Sequence, residues 1–582
     1  MTEMNTLNRI KMKITYKITL KSLLVAGCMA VVSSCQLTNL DINTDPNRPT
    51  TGSLPLLMAN SINSSLGFSD FSNAGWTGLL NGNDDYNVVN STYSGTWDAF
   101  YNSTQNLEEM LKSSADGKNP RYRGIALTLK AYAVGNFVDA FGDVPYTEAW
   151  QGNVAGGTTT AKFDKDSEIY EKLLTMCDEA VAELAKPQPV AVVNDFLYAG
   201  NAARWTTLAK TVKLRLLFNS RKGRPSGNAD LVKAFAAGGY ITTAANDFLY
   251  QYATTVSPQD NRHPWFGGSN WAANGDFSYI SHQLMGEMVL NKDPRLNYYF
   301  FRQTSAILDP ANPDQRGTIP FGGTYLVTRP TFLAEYKKAF NIVGDIPKAD
   351  IAYIAGFFGR DRGDVTGIPA DGAIRTYPGA YPAGGKYQDK TMTARTLTGV
   401  SSGGNGIQPL IMSWNVKFYQ TEAILDGTGV AGDAKALFEA AMREQIASVV
   451  RVSRAADATA PAANVAEIDA YIKAWLALYD AAPSNQAKLN VVAKQIYFCS
   501  HGQAGEMWNL MRRTGFPVQG AFRAFSTGIQ APILKPKRQY ALRLPYPSGE
   551  ANLNPNAKPY VDNIIFDRDA IFWDKVKVKW EF

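Results

Sequence analysis

Two clusters of side chains in this chain have the composition of a sugar-binding surface. In the first, Asp84 and Asp85 lie among Asn81, Asn83 and Asn87, with Trp76 and Tyr86 on either side. In the second, Trp265, Phe266 and Trp271 are interleaved with Asn261, Arg262, Asn270 and Asn274. Flat aromatic faces cover the apolar faces of sugar rings, while amides, carboxylates and guanidinium groups bond the hydroxyls. The Asp84/Asp85 pair could also hold Ca²⁺, but its spacing is not that of an EF-hand, and a solvated Asn/Asp loop accounts for the same residues. Each of these aromatics has the plain alternative of a core residue in a large domain. Trp97, on a helical stripe, is assigned to the core.

Catalytic chemistry has less support. The three histidines, His263, His282 and His501, are scattered with no second ligand at metal spacing. There is no His-Glu-x-x-His and no Cys pair at zinc spacing. A phosphate loop ending in Lys-Ser/Thr is absent as well. No cofactor or metal ligand set follows, and no catalytic residue is assigned. Glycoside hydrolysis needs only two suitably spaced carboxylates, and a chain with 52 acidic residues always offers candidates.

The elements that must position such clusters are helices. The stretch from Arg121 to Tyr146 carries Leu127, Ala131, Val134, Val138 and Phe141 at helical spacing, and other apolar residues fill the neighbouring faces. That pattern predicts a helix buried on most sides, with Ala126, Ala131, Ala133 and Gly135 small enough for close packing. Gly142 then supplies a cap and Pro145 a stop. Further helical periods run from Leu54 to Leu66, through Trp97, Phe100, Tyr101, Leu107 and Leu111, from Ile169 to Leu184 with Asp166 as a candidate cap, and onward from Asn201. Between Gln251 and Val400 the texture changes, with 17 Gly and 11 Pro, which predicts loops, short strands and a few short helices. Regular helices return at Trp414–Leu425, Asp433–Val450, Ile468–Tyr479, Ala487–Cys499 and Glu506–Arg513. Near the end, alternation at Val576, Val578 and Trp580 suggests an edge strand or a docked tail.

The leader is a secretory signal. Arg9, Lys11, Lys13, Lys17 and Lys21 precede an apolar run from Leu23 to Val32, followed by Ser33, Ser34 and Cys35. Ten apolar residues are about half of what a bilayer crossing requires. A cysteine at the cleavage point suggests acylation; Cys28 competes but would leave too short an apolar core, so Cys35 is chosen. Met12 is an alternative start to Met1. With Glu3 the leader contributes +4 of the formal +6. The rest is nearly balanced, which argues against a nucleic-acid protein. Cys177 and Cys499 both read as small apolar core residues.

Several short motifs occur in order along the chain: Phe141-Gly142-Asp143-Val144-Pro145-Tyr146 with Thr147-Glu148-Ala149; Asp293-Pro294-Arg295-Leu296; Lys417-Phe418-Tyr419-Gln420-Thr421-Glu422-Ala423; Trp508 with Arg512-Arg513-Thr514-Gly515-Phe516-Pro517; and Arg543-Leu544-Pro545-Tyr546-Pro547 with Glu550, Asn552 and Asn554. Together they resemble the SusD/RagB-like family of nutrient-binding outer membrane lipoproteins. The resemblance implies an all-α, tetratricopeptide-like helical-repeat scaffold with a large irregular, loop-rich insertion; no clean 34-residue repeat is visible in the sequence itself. The expected layout is a signal peptide at 1–34, a polar tether at 35–51 and a SusD-like domain at 52–582. Within the domain, scaffold falls at about 52–250 and 410–520, insertion at 251–409 and an extended C-terminal segment at 521–582. The resemblance also implies a lipid anchor at Cys35, a place on the cell surface at the outer membrane, and a SusC-like TonB-dependent transporter as partner. The expected ligand is an oligosaccharide, bound without catalysis. Peptide capture, a glycan-degrading enzyme and a scaffold binding only other proteins are the alternatives.

Overall fold

The computed structural model describes residues 52–66, 80–81, 93–152, 156–266, 279–301, 330–357, 359, 376–388, 403–517 and 541–578. Cys35, Trp76, Asp84, Asp85, Tyr86 and Trp271 lie outside the described residues. One compact unit spans Leu54–Phe582.

The fold is mainly α. Its first half contains α1 (Leu54–Leu66), α2 (Ser94–Ser113), α3 (Pro120–Phe141), α4 (Asp166–Leu184), α5 (Ala202–Ser220) and α6 (Gly227–Ala237), each packed against the next along the chain, with α1 also packed on α3. The insertion holds α7 (His282–Leu290), α8 (Leu296–Tyr299), α9 (Pro330–Phe340) and α10 (Lys348–Ala355). The second half holds α11 (Ser413–Leu425), α12 (Ala434–Ala456), α13 (Val465–Ala481), α14 (Asn485–Cys499) and α15 (Ala504–Thr514). Helices stacked on their neighbours in this way bury apolar faces that none could bury alone, as in tetratricopeptide-like arrays. Strands are minor. Four antiparallel pairs occur among the described residues: β1 (Leu80–Asn81) with β5 (Tyr279–Ile280), β2 (Val144–Pro145) with β3 (Phe163–Asp164), β4 (Phe248–Gln251) with β8 (Ile407–Ile411), and β6 (Phe300–Phe301) with β7 (Tyr377–Pro378).

The α3 helix is the centre of the first half, with almost every residue buried. A Cβ at Gly135 would come within 2.9 Å of Leu216 on α5, so a glycine there sets how closely the two helices approach. The helix stops at Gly142, whose φ of 79° favours glycine and whose N–H bonds the Val138 carbonyl at 2.8 Å. A side chain at that position would also collide with the Arg543 guanidinium.

Buried polar nodes hold the layers together. The Asp139 carboxylate on α3 accepts from Asn219 at 3.1 Å, Asn509 at 3.0 Å, Trp573 Nε1 at 2.9 Å and the Tyr170 hydroxyl, tying α3 to α4, α5, α15 and the C-terminal tail. Arg512 donates to the Asp139 carbonyl at 2.6 Å and to that of Leu542 at 3.0 Å. Glu422 on α11 takes two bonds from Arg513, at 3.1 and 3.0 Å, and one from Arg221 at 2.8 Å. In the insertion, Arg295 pairs with Asp293 and reaches Gln445 and Tyr471 at 2.9 and 2.8 Å, which joins α8 to α12 and α13. Buried charges persist only when paired and hydrogen-bonded, and these are.

Three details differ from the sequence expectations. Asp166 is the first residue of α4 and not its cap; Asp143, beyond the end of α3, accepts the Asp166 N–H at 2.9 Å. The C-terminal segment is not simply extended, because α16 (Ser548–Leu553) and α17 (Lys558–Asn563) flank Asn554. The last described residues form no edge strand but the docked tail that was its alternative, and Trp580 lies outside the described residues. They dock through Trp573, 1% exposed, and turn on Asp574, which accepts from the Val576 and Lys577 N–H groups at 3.1 and 2.9 Å.

Candidate ligand-binding site

A cleft of about 450 Å³ opens where the two ends of the unit meet. Its walls are Trp97, Asp98, Tyr101 and Asn102 from one face of α2, Pro145 and the Glu148–Gly152 loop after α3, Thr158, Thr159 and Ala161 before β3, and Glu550 and Asn554 at α16. Helical spacing of i, i+1, i+4 and i+5 puts the four α2 residues side by side. The volume lies in the range of pockets that bury small ligands.

The loop after α3 is held from several sides. Its start is pinned by β2–β3 pairing and by the Asp164 carboxylate, which accepts from the Tyr146 N–H at 3.1 Å, the Thr147 N–H at 2.8 Å and the Thr147 hydroxyl at 2.7 Å. The Tyr101 hydroxyl donates to the Pro145 carbonyl at 2.9 Å. Trp150 has a φ of 58°, a region costly for a bulky side chain, and its indole N–H bonds Thr104 Oγ1 at 2.9 Å. Lys130, paired with Glu108, lies 4.9 Å from the Trp150 ring centroid. The half-buried indole therefore has a fixed position and orientation. On the opposite wall, the Asn554 amide donates to the Ala161 carbonyl at 2.7 Å, and Asn556 does the same to Thr160 at 2.8 Å.

Beneath the cleft lies an aromatic cluster. Trp97, 2% exposed, meets Phe141 edge-on at 5.1 Å and packs near Phe137, Tyr101 and Tyr546, while Phe100 stacks on Phe137 at 3.7 Å. Trp97 is thus both a core residue, as its helical stripe predicts, and part of the cleft floor. Burial, with a smaller contribution from Asp98, raises the Glu550 carboxyl above its ordinary range. Burial likewise raises the Tyr101 hydroxyl, so it stays a neutral donor.

Of the aromatics singled out in the sequence, Trp265 and Phe266 are placed away from any open surface. They are 4% and 1% exposed. Trp265 packs against His501 at 5.2 Å and His263 at 5.7 Å, and Phe266 fills the space beside Gly403 and Gly404. In that setting their faces are covered by the chain itself, because the insertion folds back on the loop before β8. All three histidines are buried too, at 2%, 0% and 0% exposure for His263, His282 and His501. Burial pulls His263 and His501 down to about 3, so both stay neutral. No group of three or more metal-ligating side chains occurs among the described residues. Cys177 and Cys499 are free and buried.

The residues that sequence reasoning missed are Asp98, Tyr101, Asn102, Trp150 and Gln151. A signal did exist for the cleft as a whole. Two of the quoted motifs, one containing Glu148 and the other Glu550 and Asn554, come from opposite ends of the chain and meet here. The remaining motifs supply the buried Arg295, Glu422, Arg512 and Arg513 nodes and do not line the cleft.

A family profile described as "Starch-binding associating with outer membrane" matches residues 58–323, and one described as "Susd and RagB outer membrane lipoprotein" matches residues 377–568. No curated protein matches the chain. Among solved structures, a SusD/RagB family protein from Bacteroides thetaiotaomicron is 18% identical with a TM-score of 0.64, over 90% of this chain and 99% of its own. A SusD homologue from Bacteroides fragilis is 16% identical with a TM-score of 0.63, over 91% of this chain and 100% of its own. A chitin-binding SusD homologue from Flavobacterium johnsoniae is 17% identical with a TM-score of 0.61, again over 91% and 100%. At these identities the structures speak for the fold alone, and no described helix is long and apolar enough to cross a membrane. With two profiles of one family matching in order along the chain and the same helical fold throughout, the protein belongs to the SusD/RagB-like family of outer membrane lipoproteins.

Proposed function

We propose that this protein is a cell-surface lipoprotein, held at the outer membrane through acylated Cys35, that captures an oligosaccharide and delivers it to a SusC-like TonB-dependent transporter. The observation that carries the reading is the cleft beside Trp150. A fixed indole and a phenol are surrounded there by Asp98, Asn102, Glu148, Gln151 and Asn554, the mixture of flat apolar face and hydroxyl-bonding groups that a sugar requires. The family's description as starch-binding and the chitin-binding relative favour a glycan over a peptide. Acyl chains at Cys35 would keep the local concentration near a transporter high, so moderate affinity suffices. Trp76, Asp84, Asp85, Tyr86 and Trp271 remain proposed contributors to ligand contact.

Native gel electrophoresis of the purified protein in gels cast with candidate polysaccharides tests capture. Retarded migration with no shortening of the polymer supports the proposal, and released oligosaccharides overturn it in favour of an enzyme. Retardation by peptides alone would support peptide capture. Detergent extraction followed by pull-down tests delivery, for which a β-barrel transporter must co-purify.

A further inference from the structure

The charge of the cleft limits what it can hold. Three of its lining residues, Asp98, Glu148 and Glu550, are carboxylates, and none is Lys or Arg. Glu148 is partly neutralised by Lys162, 3.8 Å away, and accepts that residue's backbone N–H at 2.9 Å. Lys130, beside Trp150, is taken up by Glu108, and Lys172, beside Tyr146, lies 3.9 Å from Asp164. Asp98 and Glu550 have no cationic partner among the described residues. Glu550 has only the Asn554 amide, at 3.3 Å, and the Trp97 indole beside it. The two carboxylates line the same cleft, with Asp98 next in sequence to the Trp97 whose indole lies beside Glu550, and Asp98 adds to burial in disfavouring the ionised form of Glu550. The chain leading into this wall has the same sign, since no Lys or Arg occurs between Arg48 and Lys112.

Two carboxylates without a cationic partner among the described residues, in the wall of one aromatic-sided cleft, form an incomplete ion cluster. A ligand ammonium placed between them would complete it, whereas a ligand carboxylate would add a third like charge in a partly desolvated site. We propose that the cleft selects saccharides bearing a protonated amine, with Asp98 and Glu550 recognising the ammonium and Trp150 the ring, and that it rejects uronate-containing glycans. This rests on the capture reading above and narrows its substrate class from glycans in general to amino sugars.

The test uses titration calorimetry on the full-length mature protein with four β-1,4-linked tetramers: glucosamine, N-acetylglucosamine, glucose and glucuronate. Weakly acidic buffer keeps the amine protonated. Expected results are a glucosamine tetramer bound roughly tenfold more tightly than the two neutral tetramers, as one partly desolvated charge pair would give, and no detectable glucuronate binding. The ratio of glucosamine to glucose affinity should fall toward one in Asp98→Asn and in Glu550→Gln. Because Asp98 is exposed, its variant keeps the test meaningful should Glu550→Gln fold poorly. Equal binding of the charged and neutral tetramers, or a preference that survives both substitutions, overturns the amine inference while leaving capture in place. Failure of all four tetramers to bind overturns the saccharide reading itself, and the inference with it.

Discussion

Replacing Glu422 with alanine should weaken the fold sharply and leave ligand binding untouched. The side chain is 1% exposed, and its carboxylate is the shared partner of two buried guanidinium groups. Arg221 has a second acceptor in Asp426 at 2.9 Å, so it loses only part of its pairing. Arg513 is worse placed. It would keep the Asn219 bond at 2.8 Å and its contact with the Phe218 ring, but no carboxylate would remain bonded to it. Breaking a buried pair from one side costs about 3–5 kcal/mol, because the remaining charge is stranded. With an unfolding entropy of about 2.1 cal/mol/K per residue, a unit of roughly 530 residues would lose only about 3–5 °C in Tm. Chemical denaturation is therefore the better assay, read as a shift in midpoint at constant slope.

The pH dependence supplies a second readout. Burial works against the ionised form of Glu422, but Arg513 and then Arg221 more than reverse this and hold the carboxyl below its usual range. A depressed acid contributes stability above its unfolded value, about 4.3, and loses it as pH falls through the folded value. The gap between parent and variant should thus be full at neutral pH and should close in strong acid. A loss under about 1 kcal/mol at neutral pH, or a gap that does not depend on pH, would refute the assignment of this motif to the core. A changed glycan affinity in a correctly folded variant would refute its separation from the site.

Three further outcomes follow from the same reasoning. Trp150→Ala should reduce oligosaccharide affinity by about 10- to 100-fold in calorimetry, the range for truncating a fixed aromatic contact, and a loss under twofold would move the site elsewhere. Asp247 is 3% exposed and pushed up to about 6 by burial, so its ionisation opposes folding and stability falls as pH rises from its unfolded value through about 6. Asp247→Asn, which keeps an acceptor for the Ser413 N–H at 2.7 Å, should raise the unfolding free energy at pH 7 by on the order of 2 kcal/mol and do little near pH 4, as chemical denaturation would report. Burial raises the Cys177 thiol to about 12 and the Cys499 thiol to about 11, so both should resist alkylation in the native protein and become reactive only on unfolding, as peptide mass spectrometry would report.

The sequence by itself determined the helices, their stops and the family. Apolar spacing in α3, the Gly142-to-Pro145 stop and the Gly515–Pro517 stop are local signals, set by one turn of backbone and its caps, and local signals can be read without knowing what packs on them. It also marked Trp97 and both distal cysteines as core residues, since each shares a stripe with apolar neighbours. Only the tertiary structure decided which aromatic faces remain open. Trp265 and Phe266 sit among polar residues in a Gly-rich stretch, the composition of a ligand-facing surface, yet the insertion folds back and buries them. Trp150 carries no periodic signal, yet Thr104, Tyr101 and Lys130 fix it at the edge of a cleft. Exposure depends on partners contributed by segments hundreds of residues away, here the α2 face, the loop after α3 and the turn at Asn554. No spacing within one segment encodes that meeting.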